Sequence, residues 1–177
     1  MACKWFWCVC KVKCRCPSDR IFSKSAHANK KQCPCANIST IHQSKWLGFW
    51  AVELKSKRKF IGYTGLHIQP ERFDFSPCIK ISWRFDPKFW HQGYATEAAQ
   101  ACLFFAFSIL KLNEIVAFTA VQNIASEAMM KRLAMQYRGY FNHPKLDQNS
   151  PLFEHTLYSI KPTDFLKNHD EYDLNQS

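Results

Sequence analysis

The chain has 177 residues, of which 47% are hydrophobic and 15% aromatic, so it is long enough and apolar enough for one domain with a full core. Its apolar stretches are shorter than the ~20 residues that a membrane-spanning helix needs, which argues against a membrane protein. The basic and apolar start around residues 4–11 is too short for a secretory signal, and we expect a cytoplasmic protein.

Charge and cysteine are concentrated at the start of the chain. The net charge is +10, and residues 1–45 hold nine lysines and arginines against one acid, Asp19, together with seven of the nine cysteines. Such a segment can bind nucleic acid or an anionic surface, but a solvated, poorly ordered segment is commoner, and we do not expect nucleic-acid binding. Most of its cysteines follow one another with a single intervening residue, whereas zinc sites use two to four, so no metal is expected although Cys10 and Cys14 are three residues apart.

From residue 46 onward, the periodicity predicts strands, a helix, a strand, a second helix and two closing strands. Alternating apolar residues predict strands at 48–54, 59–68 and 78–85, and two glycines in the second of these indicate a close backbone approach or a bulge. The remaining elements are a buried helix at 96–110, a strand at 114–121, a helix at 126–133, and strands at 136–141 and 155–160. This order predicts a mixed α/β layer fold.

The most informative segment is residues 89–98, which read Phe-Trp-His-Gln-Gly-Tyr-Ala-Thr-Glu-Ala between the third strand and the buried helix. A loop in this place presents unpaired backbone N–H groups at the positive end of a helix, an arrangement that suits a phosphate or pyrophosphate. Gly93 permits a tight turn and the side chain of Ala95 is too small to block an anion. A small-residue turn before a helix is often only a turn, so this signal is weak by itself.

The same segment resembles the pyrophosphate loop of the GNAT superfamily of N-acetyltransferases, and most of all its RimJ/RimL-like branch. Further segments resemble the family's strands in the same order, and the resemblance covers about two-thirds of the chain. It implies the GNAT acyl-CoA N-acyltransferase fold, with a mixed, mostly antiparallel sheet and flanking helices, over residues 46–162. The family's first strand and two helices are not recognisable in residues 1–45, so we expect them to be missing or replaced, and we expect residues 163–177 to form a polar tail that frays.

The resemblance also implies the activity. It implies acetyl-CoA as cosubstrate and direct transfer of acetyl to an amine in a ternary complex. The amine would belong to a protein N-terminus or a small molecule, and the protein would be a monomer or homodimer. Residues implied in binding acetyl-CoA are Gln92, Gly93, Tyr94, Ala95 and Thr96 at the pyrophosphate, Asn123 at the pantetheine arm and Ser126 near the sulfur. Ser126 is the candidate to stabilise the leaving thiolate, although both Asn123 and Ser126 are also typical helix-capping residues.

The sequence departs from the family at several positions. His91, Ser82 and Ala134 replace usual glycines, and an alanine in the glycine position that follows a helix is strained by roughly 1 kcal/mol. Met130 stands by spacing where many family members carry the tyrosine that protonates the thiolate.

Lys80 is the largest departure, because related sequences commonly carry at this position a glutamate that can serve as general base. We therefore treat Lys80 as a catalytic candidate with three alternatives. It could be buried with a lowered pKa and accept a proton, or it could point away while Glu53 or His67 acts through water. The third alternative, which the sequence favours, is that the protein lacks a base and uses only amine that is already neutral.

Two other functions stay open at this point. The first is a degenerate GNAT-fold protein that binds CoA with weak or no turnover, since fold similarity alone does not establish activity. The second is a nucleic-acid-binding or zinc-binding protein that works through residues 1–45.

Overall fold

The computed structural model describes residues 12–15, 47–70 and 73–173, with side chains described for 47–70 and 73–167. Seven strands form one sheet in the order β1-β2-β3-β4-β5-β7-β6. The strands are β1 Val12–Arg15, β2 Gly48–Leu54, β3 Lys59–Gln69, β4 Cys78–Phe85, β5 Ile115–Ala120, β6 Gln136–Asn142 and β7 Glu154–Ile160. The helices are α1 Tyr94–Phe104, α2 Ile124–Arg132 and α3 Pro162–Asp173, with a 3-10 turn at Pro87–Phe89 and a π-helical turn at Phe105–Ile109.

The sheet is antiparallel everywhere except between β4 and β5. Those two strands run parallel because the chain crosses from one to the other through α1, and parallel neighbours need such a crossover. A single register pair, Lys80 with Val116, joins them, and both strands lie wholly within the described part of the chain. The predicted mixed, mostly antiparallel sheet with flanking helices is thereby confirmed.

The main core lies between the sheet and α1. Alternate residues of β4, Ile79 and Ile81, face Leu103 and Ala99 of α1, and all four are at most 4% exposed. A smaller apolar cluster joins β2, β3 and the end of β4 to the first turns of α1; its buried members are Val52, Leu54, Ile61, Phe85 and Ala98. This smaller cluster fixes the position of the β4–α1 loop, because both ends of that loop are anchored in it.

The close approach predicted for the glycines of β3 is present. A Cβ on Gly65 would clash with the carbonyl oxygen of Gly48 on β2. The pairing of β2 with β3 also shifts register between Val52 and Glu53, which marks a bulge.

Strand β1 was not recognised in the sequence. Val12–Arg15 pairs antiparallel with β2 at the edge of the sheet, within the segment that we set apart from the domain. Val12 and Cys14 alternate with the cations Lys13 and Arg15, which is typical of a strand, but four residues are too few for this alternation to stand out in a basic, cysteine-rich segment. The other predictions for residues 1–45, including those on their cysteines, fall outside the described residues except for the backbone of Cys14.

The prediction of a frayed polar tail was wrong for its first part, because Pro162–Asp173 forms α3. Pro162 occupies the first helical position, which its fixed φ and missing N–H suit. Phe165 is 4% exposed and its ring lies 5.5 Å from that of Phe107, so one aromatic residue anchors the helix to the core. Residues 174–177 lie outside the described part.

Two of the positions where glycine is usual in the family do take a left-handed conformation. Ala134 has φ +57° and His91 has φ +59°. Ala134 follows α2 in a Schellman motif, in which its own N–H donates to the carbonyl of Lys131 and the N–H of Met135 donates to that of Met130. The strain anticipated at Ala134 is therefore present in its backbone.

We predict that Ala134→Gly stabilises the protein. Relief of the left-handed strain should raise the free energy of unfolding by about 0.5–1 kcal/mol, after allowance for the greater freedom of glycine in the unfolded chain. Urea denaturation followed by circular dichroism measures the change. Ala128→Gly inside α2 is the matched control and should lower stability by about 1 kcal/mol. Equal destabilisation by both substitutions would show that the conformation of Ala134 carries no strain.

Candidate functional site

The loop between β4 and α1 is held in shape by its own hydrogen bonds. Trp90 Nε1 donates to the carbonyl oxygen of Phe85 over 3.0 Å, and the amide of Lys88 donates to Asp86 Oδ1 over 3.0 Å. Gln92 Nε2 reaches back to the carbonyl oxygen of Lys88 over 3.1 Å. The side chain of Gln92 is thus occupied within the loop, so any ligand contact from this residue would come from its backbone.

Gly93 opens α1 and leaves its first amides uncapped. It is the N-cap residue, with φ +81°, and no side chain makes a capping hydrogen bond there. The first internal bond of the helix runs from the amide of Glu97 to the carbonyl of Gly93, so the preceding N–H groups have no partner in the helix. A Cβ at Gly93 would meet no atom within 4 Å. The result is an open, positively polarised helix end that suits a phosphate group.

Asn123 caps α2 on the other side of the β4–β5 opening. Its Oδ1 accepts a hydrogen bond from the amide of Ser126 over 3.2 Å, and its Nδ2 donates to Thr119 Oγ1 over 3.0 Å. Ser126 is partly buried in the first turn of the helix. The capping role is therefore present, and the implied contacts of Asn123 and Ser126 with acetyl-CoA stay predictions.

Lys80 is partly buried where β4 and β5 pair. Its Nζ lies 3.5 Å from the centroid of the Phe118 ring. Burial lowers the pKa of Lys80 to about 8, and the neighbouring Cys78 thiol opposes this shift. No carboxylate of the described residues pairs with the amine. These properties match the first of the three alternatives for Lys80, that of a buried lysine able to accept a proton.

The Phe118 ring beneath this lysine belongs to an aromatic cluster. The ring of Phe118 makes edge contacts with four other rings at centroid distances of 5.2–6.1 Å. The members of the cluster are Phe73, Phe75, Phe118, Phe141, His143 and His155. We did not recognise this cluster in the sequence. One residue separates the two rings in each of the pairs Phe73/Phe75 and Phe141/His143, a spacing that puts both side chains on one face of an extended backbone.

Three histidines near Lys80 are biased toward the neutral form. Burial is the largest cause of the lowered pKa of His67, His143 and His155, and the positive charge of Lys80 adds to it in each case. His67 lies directly opposite Lys80 in the β3–β4 register. Its Nδ1 is buried without a hydrogen-bond partner among the described residues, while its Nε2 lies 2.8 Å from Gln69 Nε2.

The other candidates for proton transfer are less well placed. Glu53 lies on β2, two strands away from β4. Met130 is 1% exposed and carries no hydroxyl, so the position equivalent to the family's tyrosine supplies no acid. Tyr158, which is 4% exposed, donates its hydroxyl to Glu127 Oε1 over 2.8 Å and ties β7 to α2.

Comparison with known proteins identifies the family of this chain. Residues 20–136, about two-thirds of the chain, match the Acetyltransferase (GNAT) domain family, and the match begins within the basic segment. The chain therefore belongs to the GNAT acetyltransferase family. None of the described helices is both long and apolar enough to cross a membrane.

Individual relatives cover shorter parts of the chain. An uncharacterized N-acetyltransferase, YnaD, from Bacillus subtilis is 40% identical over 42% of this chain and 44% of its own length. The FsC-acetyl coenzyme A-N(2)-transacetylase of Aspergillus fumigatus is 36% identical over 50% of this chain and 38% of its own length. The chain thus spans about half or less of these curated relatives.

Solved structures share the fold. A GNAT-family acetyltransferase from Bacillus anthracis superposes with a TM-score of 0.54 at 29% identity, covering 64% of this chain and 65% of its own. The ribosomal-protein-S5-alanine acetyltransferase of Vibrio fischeri superposes with a TM-score of 0.57, covering 72% of this chain and 68% of its own. At 21% identity, the second likeness shows the fold alone.

We predict that Lys80→Met raises the pKa of His67, His143 and His155. Removing a positive charge makes each imidazolium easier to form, so each pKa should move back toward its ordinary value, and only in part because burial remains the larger cause. NMR titration of the imidazole Cε1 protons measures this. Lys59→Met, which removes an exposed lysine, should leave all three unchanged. Unchanged values in Lys80→Met would show that the Lys80 amine is uncharged or distant from these rings.

Proposed function

We propose that this protein is an acetyl-CoA-dependent N-acetyltransferase that transfers acetyl to an amine by direct attack in a ternary complex. Membership of the GNAT family supports acetyl transfer. The observation that supports the use of acetyl-CoA is the uncapped start of α1 at Gly93. This start has open space, a positive dipole and a loop that is already rigid. A pyrophosphate fits these properties, because it needs several backbone donors and no side chain in its way.

The residues of this chain would divide the work by position. The backbone N–H groups of Gln92, Gly93, Tyr94, Ala95 and Thr96 would hold the pyrophosphate. Asn123 would orient the pantetheine arm while it continues to cap α2, and Ser126 would donate a hydrogen bond to the thiolate as it leaves. Acetyl-CoA, when bound, supplies the activated acetyl group. Most of the rate enhancement then comes from holding the acceptor amine against the thioester, which replaces a bimolecular encounter.

Lys80 would accept the proton of the acceptor amine. With a pKa of about 8, roughly a tenth of the Lys80 amine is neutral at pH 7, and only the neutral form can take a proton. This differs from the alternative that the sequence favoured, in which Lys80 stays charged and the site has no base. The competing function is that of a degenerate protein that binds CoA without turnover. A Lys80 that takes no part in proton transfer would favour this alternative.

The acceptor that best suits such a site is a protein N-terminus. A weak base with a pKa near 8 cannot efficiently deprotonate a side-chain ammonium with a pKa near 10.4, whereas an α-ammonium has a pKa near 8. At pH 7 roughly a tenth of α-amine is neutral, against less than ~0.1% of alkylamine. The availability of neutral amine thus favours an N-terminus over lysine or a diamine by about a hundredfold.

We predict that Gly93→Glu abolishes acetyl-CoA binding in isothermal titration calorimetry. A carboxylate at this position would occupy the open space before α1 and repel the pyrophosphate. Gly139→Glu is the matched control, because Gly139 also has a positive φ of +129° and open space beside it, but lies on β6. Binding by a folded Gly93→Glu protein with the affinity of the control would place the cofactor elsewhere.

We predict opposite effects from two substitutions of Lys80. Lys80→Met removes the proton acceptor and should lower kcat by about 10²-fold or more at pH 8 on an N-terminal peptide. Lys80→Glu supplies a base that is already ionised at pH 7, so it should raise activity there and flatten the rise in rate that the wild type shows as pH passes about 8. Activity of Lys80→Met equal to or above that of the wild type would return the site to the alternative without a base.

A further inference from the structure

The amine of Lys80 lies where β4 and β5 part. Val116 is the only residue of β5 in register with β4, and Phe118 stands two residues beyond it in the direction in which the strands diverge. The Nζ of Lys80 lies 3.5 Å from the centroid of the Phe118 ring, so the side chain reaches across the opening rather than back along its own strand. Under the proposed function Lys80 accepts the proton of the attacking amine, so its own amine would lie near the thioester carbonyl.

The surroundings of this amine lower its pKa and so raise its neutral fraction. Nζ lies over the ring of Phe118, which itself packs against the rings of Phe73, Phe75 and Phe141. The titratable groups that contribute to its electrostatic surroundings are His67 on β3, Cys78 on β4, and His143 and His155 beyond β5. None of the described residues offers the amine a carboxylate. Desolvation without a counter-ion disfavours the ammonium, which leaves a lone pair on Nζ.

We propose that the Nζ of Lys80 is itself an acetyl acceptor, so that the protein acetylates its own Lys80 when an acyl-CoA thioester is bound and no external amine is present. The inference rests on the proposed function. Nζ uses its lone pair to form a C–N bond to the carbonyl carbon, displaces the CoA sulfur as the C–S bond breaks, and gives up one proton, which leaves with the thiolate. The products are Nε-acetyl-Lys80 and CoA thiol.

Acetylation would change the site in two ways. The amide that replaces the amine accepts no proton near neutral pH, so Lys80 loses the role proposed for it in turnover. The amide is also uncharged, which suits the aromatic cluster and removes the positive charge that helps to lower the pKa of His67, His143 and His155. Self-acetylation would therefore occur when no acceptor amine is bound, and it would remove the proton acceptor of the site.

The experiment follows acetylation of the full-length wild-type protein by peptide-mapping mass spectrometry after incubation with acetyl-CoA at pH 7.5 and no added amine. Lys59 is the internal control, because its Nζ also lies over an aromatic ring, 5.1 Å from the centroid of Phe89, but its side chain is exposed. We expect Lys80 to gain one acetyl group at least tenfold faster than Lys59. Excess CoA and the Gly93→Glu substitution should each remove this preference.

A second measurement does not depend on CoA. Trace labelling with acetic anhydride compares the two lysines as free amines, and Lys80 should label at least tenfold faster than Lys59 at pH 7.5, because the lowered pKa of Lys80 raises its neutral fraction. Histidine NMR of protein pre-treated with acetyl-CoA should show the same pKa increases as Lys80→Met.

The outcomes separate the two proposals. Preferential, CoA-suppressible acetylation of Lys80 supports the inference. An unmodified Lys80 in protein that binds acetyl-CoA and acetylates a peptide overturns the inference and leaves the proposed function standing. An unmodified Lys80 in protein that does not bind acetyl-CoA overturns both. Equal labelling of Lys80 and Lys59 by both reagents overturns the inference by showing that the site does not select this amine.

Discussion

The parallel pairing of β4 with β5 through one pair of residues is the constraint on which the rest of this structure depends. Every other strand pair is antiparallel and extends over several residues, so the sheet is continuous except at this point. The crossover through α1 forces the two strands into the same direction and places the ends of both at one edge. The loop with Gly93 follows one of these ends and Asn123 follows the other, so residues 30 positions apart in the sequence lie at the same edge of the sheet.

Lys80 shows how a lysine side chain can be accommodated where β4 and β5 pair. A cation over an aromatic face gains about 0.5–2 kcal/mol, whereas losing its water without a counter-ion costs more, and the lowered pKa of Lys80 reports that desolvation is the larger effect. A glutamate at this position would accept the proton as an ionised carboxylate. A lysine of lowered pKa offers the same proton-accepting function in an uncharged form, at the cost of being a nucleophile.

Much of the fold could be predicted from the sequence, because the strands with one buried face alternate and α1 is apolar over most of its length. The position of the loop at Gly93 followed from the same reasoning, and the left-handed backbone of Ala134 was anticipated from the glycine that it replaces. What could not be predicted depends on contacts between distant segments. The Phe73 and Phe141 rings meet at Phe118 only after the sheet has formed; β1 is held by its pairing with β2, and Phe165 of α3 by its contact with Phe107. No local pattern encodes the environment that lowers the pKa of Lys80.

The π-helical turn at Phe105–Ile109 carries one residue more per turn than the α-helix that precedes it. Phe105 packs edge-on against Trp50 at 5.4 Å, and two residues later Phe107 packs against Phe165 of α3. Loss of one residue from this turn would restore α-helical winding and rotate the following residues of the helix by about 100°. Phe107 would then leave Phe165, and α3 would lose its anchor while Phe105 kept its place. The length of this short segment therefore sets the spacing between the sheet and the last helix. Insertions or deletions here would separate α3 from the core without changing the β4–α1 loop.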